Sequence, residues 1–112
     1  RVHMQWQPIL SWPDTKFWRG TVFRLGVSQW PHETPVDLML IEASSSESGF
    51  ALIVCSGYKA GLTLLNLPMS ARSRGKVSAV SRRWLISHWS KDIYPGCPVE
   101  QVLAISNYPS GV

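Results

Sequence analysis

Val36-Asp-Leu-Met-Leu-Ile-Glu-Ala43, followed by the polar turn Ser44-Ser-Ser-Glu-Ser-Gly49 and by Phe50-Ala-Leu-Ile-Val-Cys-Ser56, has the pattern of two neighbouring β-strands. The first strand is apolar on both faces, which predicts a central position in a sheet. Gly57-Tyr-Lys-Ala-Gly61 predicts a tight connection, because glycine permits positive φ at both of its ends. Leu62 to Leu67 then returns as a third strand. Consecutive strands with short turns predict an antiparallel meander.

Two further strands are predicted on either side of this meander. Lys16 to Leu25 is rich in aromatic and β-branched residues, and Gly20 marks a bulge or a close backbone approach within it. Val99 to Tyr108 has the pattern of a last strand. Pro68 to Val77 is polar and is predicted to lack regular structure.

One helix is predicted from Val80 to Ser90. Ser78 and Ser81 are both candidate N-caps, and Pro95 stops the helix. Its apolar face is formed by Val80, Trp84, Leu85, His88 and Trp89. The expected fold class is therefore α+β, an antiparallel sheet of about five strands with one main α-helix packed on one face.

Length and composition predict a single folded domain. The chain has 112 residues, of which 45% are hydrophobic and 16% charged. We expect residues 1–15 to form an N-terminal extension, in which residues 1–3 resemble a cloning remnant, and residues 16–112 to form the domain. No apolar run has the length of a membrane span, and no secretory signal is recognisable, so a cytoplasmic location is expected.

The six tryptophans exceed what a small core needs. Trp84 and Trp89 share the core face of the helix and Trp18 falls within a strand, so these three are predicted to be architectural. Trp6 and Trp12, together with Trp30, remain as candidates for a partner surface.

Charge is distributed unevenly along the chain. Residues 1–47 hold four basic and five acidic groups, whereas residues 48–91 hold seven basic groups and no acid. The imbalance favours an acidic partner, with a solvated basic loop as the alternative. A nucleic-acid site in segment 72–83 is less favoured, because the helical spacing places Trp84 and Trp89 away from the arginines.

Groups that would form a catalytic or metal site are sparse. Asp37 and Glu42 point to opposite faces of a regular strand, so they are read as solvated strand ends rather than an acid/base pair. Cys55 and Cys97 lie near no recognisable activating motif, and His88 is expected to be a hydrogen-bonded structural residue. A disulfide between the two cysteines remains open. No catalytic residue, cofactor or metal is predicted.

The assembled segments resemble the immunity protein 45 family of bacterial polymorphic toxin systems. The resemblance covers about residues 16–108 and rests on Phe17-Trp-Arg-Gly20, Trp30-Pro31 with Glu33, Val36-Asp-Leu-Met39, Glu47-Ser-Gly-Phe50, Val54-Cys-Ser-Gly-Tyr-Lys-Ala-Gly-Leu62, Trp84-Leu85, Trp89, Ile93-Tyr-Pro95, Cys97 and Val99. It implies a protein that binds and neutralises a cognate toxin in interbacterial competition, without a reaction of its own.

The expected partner is therefore a toxin protein held in a heterodimer, with no membrane and no cofactor involved; self-association is left open. A basic inhibitor argues against a strongly basic nuclease as that toxin, because like charges slow encounter. The alternatives are a nucleic-acid-binding module that uses segment 72–83 and a small hydrolase. The candidate partner-binding residues, chosen for their predicted exposure, are Arg19, Trp30, Tyr58, Lys59, Arg72, Arg74 and Arg82.

Overall fold

The computed structural model describes residues 5–26, 36–75 and 77–108. Its strands and its helix are, in chain order, β1 (Gln7–Pro8), β2 (Lys16–Phe17), β3 (Val22–Leu25), β4 (Val36–Glu42), β5 (Phe50–Val54), β6 (Thr63–Asn66), β7 (Val80–Ser81), α1 (Arg82–His88) and β8 (Val102–Ile105). A π-helical turn, Trp89–Ile93, continues α1. Single 3-10 turns are formed by Ile9–Ser11, Met69–Ala71 and Val99–Gln101.

Six strands form the main sheet in the order β1-β8-β3-β4-β5-β6, and every neighbouring pair is antiparallel. The α+β class is confirmed, with six strands in this sheet rather than about five, and β2 and β7 pair separately as a small ribbon. The predicted meander is β4-β5-β6, in which Leu52 pairs with Leu40 on one side and Leu65 on the other. β4 lies inside the sheet, as its two apolar faces predict.

The helix covers one face of the sheet. Leu85, Trp89 and Ile93 are buried against that face, and the Trp89 ring lies 5.9 Å from the ring of Phe23 on β3. The helix begins at Arg82, because Ser81 caps it by accepting a hydrogen bond from the backbone N–H of Trp84. Within the described ranges, no helix is both long and apolar enough to cross a bilayer.

Residues 7–12 belong to this core, although the sequence places them in an extension. β1 pairs with β8, Ile9 is fully buried, and Trp12 is 3% exposed. The Trp12 ring lies 5.3 Å from that of Phe17. Trp12 is therefore a core residue, and its prediction as a partner-surface candidate is wrong.

Gly20 divides the predicted strand 16–25 into β2 and β3. Its φ is +95°, and a Cβ at this position would lie 2.9 Å from the side-chain oxygen of Asn107, so both the conformation and the close approach favour glycine. The break takes Trp18 out of both strands and leaves it 42% exposed. The assignment of Trp18 to the architecture is therefore wrong.

Candidate functional site

A cleft of about 600 Å³ lies where the N-terminal segment, the chain after β6 and the start of α1 meet. It contains four arginines and four hydroxyl-bearing residues, and we refer to it as the arginine cleft. Its lining residues are Thr15, Ser70, Arg72, Ser73, Arg74, Ser81, Arg82 and Arg83. No carboxylate is among them, so the cleft concentrates positive charge.

Backbone pairing brings the two halves of the cleft together. Arg72 forms an isolated bridge with Val80, and the N–H of Ser73 donates to the carbonyl of Ala79 at 2.8 Å. On the other side, the N–H of Arg82 donates to the carbonyl of Thr15 at 3.0 Å. Segment 68–77, predicted to lack regular structure, thus includes a 3-10 turn and this bridge.

Two of the cleft arginines are held by backbone carbonyls. Arg72 donates from Nη1 to the carbonyl of Ser48 at 2.8 Å, and its guanidinium lies 5.8 Å from the centre of the Phe50 ring. Arg82 donates from Nη1 to the carbonyl of Trp12, which joins the start of α1 to the N-terminal segment. Both side chains are half-buried. Their first role is to tie parts of the fold together.

The other two cleft arginines, Arg74 and Arg83, are exposed. Neither donates a hydrogen bond nor forms an ion pair with any residue that the structure describes. Arg74 was predicted as a contact residue, but Arg83 was not among those candidates. The only feature of the sequence that indicates a contact role for Arg83 is its place in the basic segment 72–83.

Trp18 lies beside the arginine cleft. It lines a shallow pocket with Asp14, Thr15 and Lys16, and Thr15 also borders the cleft. An exposed tryptophan next to arginines is the side-chain combination that dominates binding energy at many protein interfaces.

The remaining candidates do not line the cleft. Arg19 is paired with Glu42 on the surface at 3.8 Å, with 71% of its side chain exposed. Tyr58 is 80% exposed at the tip of the connection between β5 and β6, and the Lys59 ammonium lies 5.9 Å from its ring centre. Trp30 lies outside the described residues.

The sheet face opposite the helix contains an ion pair between the half-buried Arg24 and the buried Asp37. Arg24 donates from Nε to Asp37 Oδ1 and from Nη2 to Asp37 Oδ2, each at 2.9 Å, and the Tyr108 hydroxyl donates to Oδ2 at 2.9 Å. The Arg24 guanidinium also lies 4.2 Å from the centre of the Trp6 ring. Asp37 is 4% exposed, so its prediction as a solvated strand end is wrong.

The described cysteines and His88 have the environment of structural residues. Both thiols are free. Burial raises the pKa of the Cys55 thiol, which disfavours the nucleophilic thiolate. His88 Nδ1 lies 2.9 Å from the carbonyl of Trp84, and its ring stacks on the Trp84 ring at 4.3 Å. In the described part of the chain, no group of three potential metal ligands converges.

Fold and surface together define a small α+β domain whose most distinctive surface feature is a cationic cleft. Its sequence matches the family model described as Immunity protein 45 over residues 9–104. Because the match spans most of the 112 residues, the chain belongs to the immunity protein 45 family. The resemblance seen in the sequence is thereby confirmed. No curated protein and no solved structure matches the chain.

Proposed function

We propose that this protein binds a cognate bacterial toxin and neutralises it by covering its active site, acting in the cytoplasm of the producing cell. The observation that carries the proposal is the family match over residues 9–104. Inhibition by occlusion needs a rigid surface rather than reacting groups. The arginine cleft meets that requirement, because Arg72 and Arg82 hold its two sides to the rest of the fold.

The proposed contact surface combines the arginine cleft with the tip at Tyr58 and Lys59. Tyr58 is the most exposed large hydrophobic residue described, and it adjoins a cation, which suits an interface anchor. Arg19 and Trp30 complete the candidate set. Arg72 and Arg82 contribute charge to this surface while also stabilising it.

The test uses the toxin encoded beside this protein. Coexpression is expected to restore growth to cells that produce the toxin, and the purified proteins are expected to form a one-to-one complex. If the protein occludes the active site, toxin substrate and this protein compete, so raising the substrate concentration weakens inhibition. Failure of the wild-type protein both to bind and to protect contradicts the proposed function. A ternary complex with substrate contradicts occlusion alone.

A nucleic-acid-binding module remains the second candidate, because four arginines line one cleft. Two tryptophans of the helical region offer no free stacking platform, since Trp89 is fully buried and Trp84 stacks on His88, whereas the exposed ring of Trp18 beside the cleft is free to stack on a base. A salt titration of binding to unrelated DNA and RNA separates the two functions, because contacts with phosphates give a steep loss of affinity as salt rises.

A further inference from the structure

We propose that the arginine cleft receives carboxylate side chains of the toxin and that Trp18 packs beside them as the apolar anchor of the same interface. This inference rests on the proposed function and adds the chemistry of the partner. The toxin surface that meets this protein is accordingly acidic, with an apolar position next to its carboxylates.

Charge complementarity is the first argument. The cleft places four guanidinium groups around one space of about 600 Å³, and none of its lining residues is acidic. Guanidinium groups match carboxylates through two parallel N–H donors, a geometry that ammonium groups do not offer. A space of this size accommodates a few carboxylate side chains.

Preorganisation is the second argument. Arg72 and Arg82 are each held by a bond to a backbone carbonyl, so binding need not order them. Arg74 and Arg83 extend into solvent, where they can close onto a carboxylate that has entered. The cleft therefore combines two fixed charges with two adaptable ones.

The surroundings of Trp18 suit a protein partner. The pocket that borders the cleft at Thr15 is lined by Asp14, Lys16 and Trp18, so side chains of both charges lie beside an exposed aromatic ring. A protein segment that alternates acidic and apolar side chains would place its carboxylates in the cleft and its apolar group on Trp18.

The experiment measures association and dissociation rates of the full chain with the toxin encoded beside it, across a series of NaCl concentrations. Arg74→Glu and Arg83→Glu are each expected to slow association about tenfold at low salt, with a larger loss in the double variant. Lys91→Glu is the matched control, because Lys91 is exposed on the continuation of the same helix but does not line the cleft. Its association rate should stay within about twofold of the wild-type rate.

Trp18→Ala tests the anchor separately. It is expected to raise the dissociation rate at least about tenfold while leaving association nearly unchanged, because truncation of an interface tryptophan acts mainly on dissociation. Circular dichroism and the Tm of each variant verify that the fold is intact.

The outcomes distinguish the inference from the proposed function. If the toxin binds and the arginine variants behave like Lys91→Glu, the inference is overturned while the proposed function stands. If the wild-type protein binds unrelated DNA or RNA, and the double variant Arg74→Glu with Arg83→Glu loses this binding but still binds the toxin normally, the cleft is a nucleic-acid site and the inference is overturned. If wild-type protein neither binds nor protects against the toxin, the function and the inference both fail.

Discussion

Replacement of Asp37 by alanine should destabilise the protein far more than replacement of Glu42, although both residues belong to β4 and both pair with an arginine. Asp37 accepts two hydrogen bonds from Arg24 and one from Tyr108, all of 2.9 Å. The side chain of Asp37 is 5% exposed, whereas that of Glu42 is 58% exposed in its pair with Arg19. The two pairs therefore differ mainly in burial.

The magnitude follows from that burial. Loss of one partner from a fully buried pair costs about 3–5 kcal/mol, because the other charge is left without compensation. Arg24 retains 34% of its side-chain exposure, so we expect Asp37→Ala to cost about 3 kcal/mol, near the lower end of this range. For a chain of this size, that free energy corresponds to a fall in Tm of about 12 °C. Glu42→Ala should cost less than about 1 kcal/mol, as exposed ion pairs do.

Thermal unfolding followed by circular dichroism gives both Tm values, and urea unfolding gives the free energies. The double variant Arg24→Met with Asp37→Leu should be more stable than Asp37→Ala, because no unpaired charge remains in it. If Asp37→Ala and Glu42→Ala differ by less than about 1 kcal/mol, burial does not determine the strength of these pairs and the reasoning is refuted.

Three further predictions concern the cleft and the response to pH. Arg82→Ala should lower the free energy of unfolding by about 1.5–3 kcal/mol, since a charged hydrogen bond to a backbone carbonyl is lost, whereas Arg74→Ala should change it by less than about 0.5 kcal/mol; urea unfolding of both variants checks this. Arg83→Glu should stabilise the fold by about 0.3–1 kcal/mol, because it places an acid in the first turn of α1, and it should weaken toxin binding. A lower Tm would contradict the expected stabilisation, and unchanged binding would contradict the role of Arg83 as a contact residue. Burial raises the pKa of both Cys55 and Tyr108 above the ordinary values of 9.0 and 10.0, so their protonated forms favour the folded state and stability should fall as pH rises above 9. The fall in Tm between pH 8 and pH 10.5 should be smaller for Tyr108→Phe and Cys55→Ala than for the wild-type protein. Equal falls in all three proteins would rule out this origin.

The meander and the helix were predictable because their signals are local. Short, nearly continuous apolar runs specify β4 and β5. The glycines of the connection between β5 and β6 have the positive φ that the turn requires, with +71° at Gly57 and +95° at Gly61. Ser81 caps α1 from its own side chain, and Trp89 lies on the predicted core face. Each of these features depends on neighbours within a few residues.

The errors at Asp37, Trp12 and Trp18 depend on contacts that are distant in the sequence. Asp37 is buried because Arg24 on β3 and Tyr108, which follows β8, both donate hydrogen bonds to its carboxylate. The sequence pattern along β4 contains neither partner. The two tryptophans exchange their expected roles, because β1 carries Trp12 into the core while the break at Gly20 leaves Trp18 exposed. The residue type is the same at both positions, so the tryptophan itself does not show which of the two is buried.

The arginines show most clearly why a basic segment alone does not identify a binding site. Arg72, Arg74, Arg82 and Arg83 look equivalent in the sequence, yet two are bound to carbonyls of distant segments and two extend into solvent. The hydrogen-bonded arginines, Arg72 and Arg82, make the cleft rigid, whereas the exposed ones, Arg74 and Arg83, can adjust their conformation to a ligand. Variants at Arg72 or Arg82 alter stability and charge together, so a loss of binding in them does not identify a contact. Substitutions at Arg74 and Arg83 change the charge of the cleft without removing a described contact within the fold. A loss of binding in these variants therefore identifies a contact with the partner.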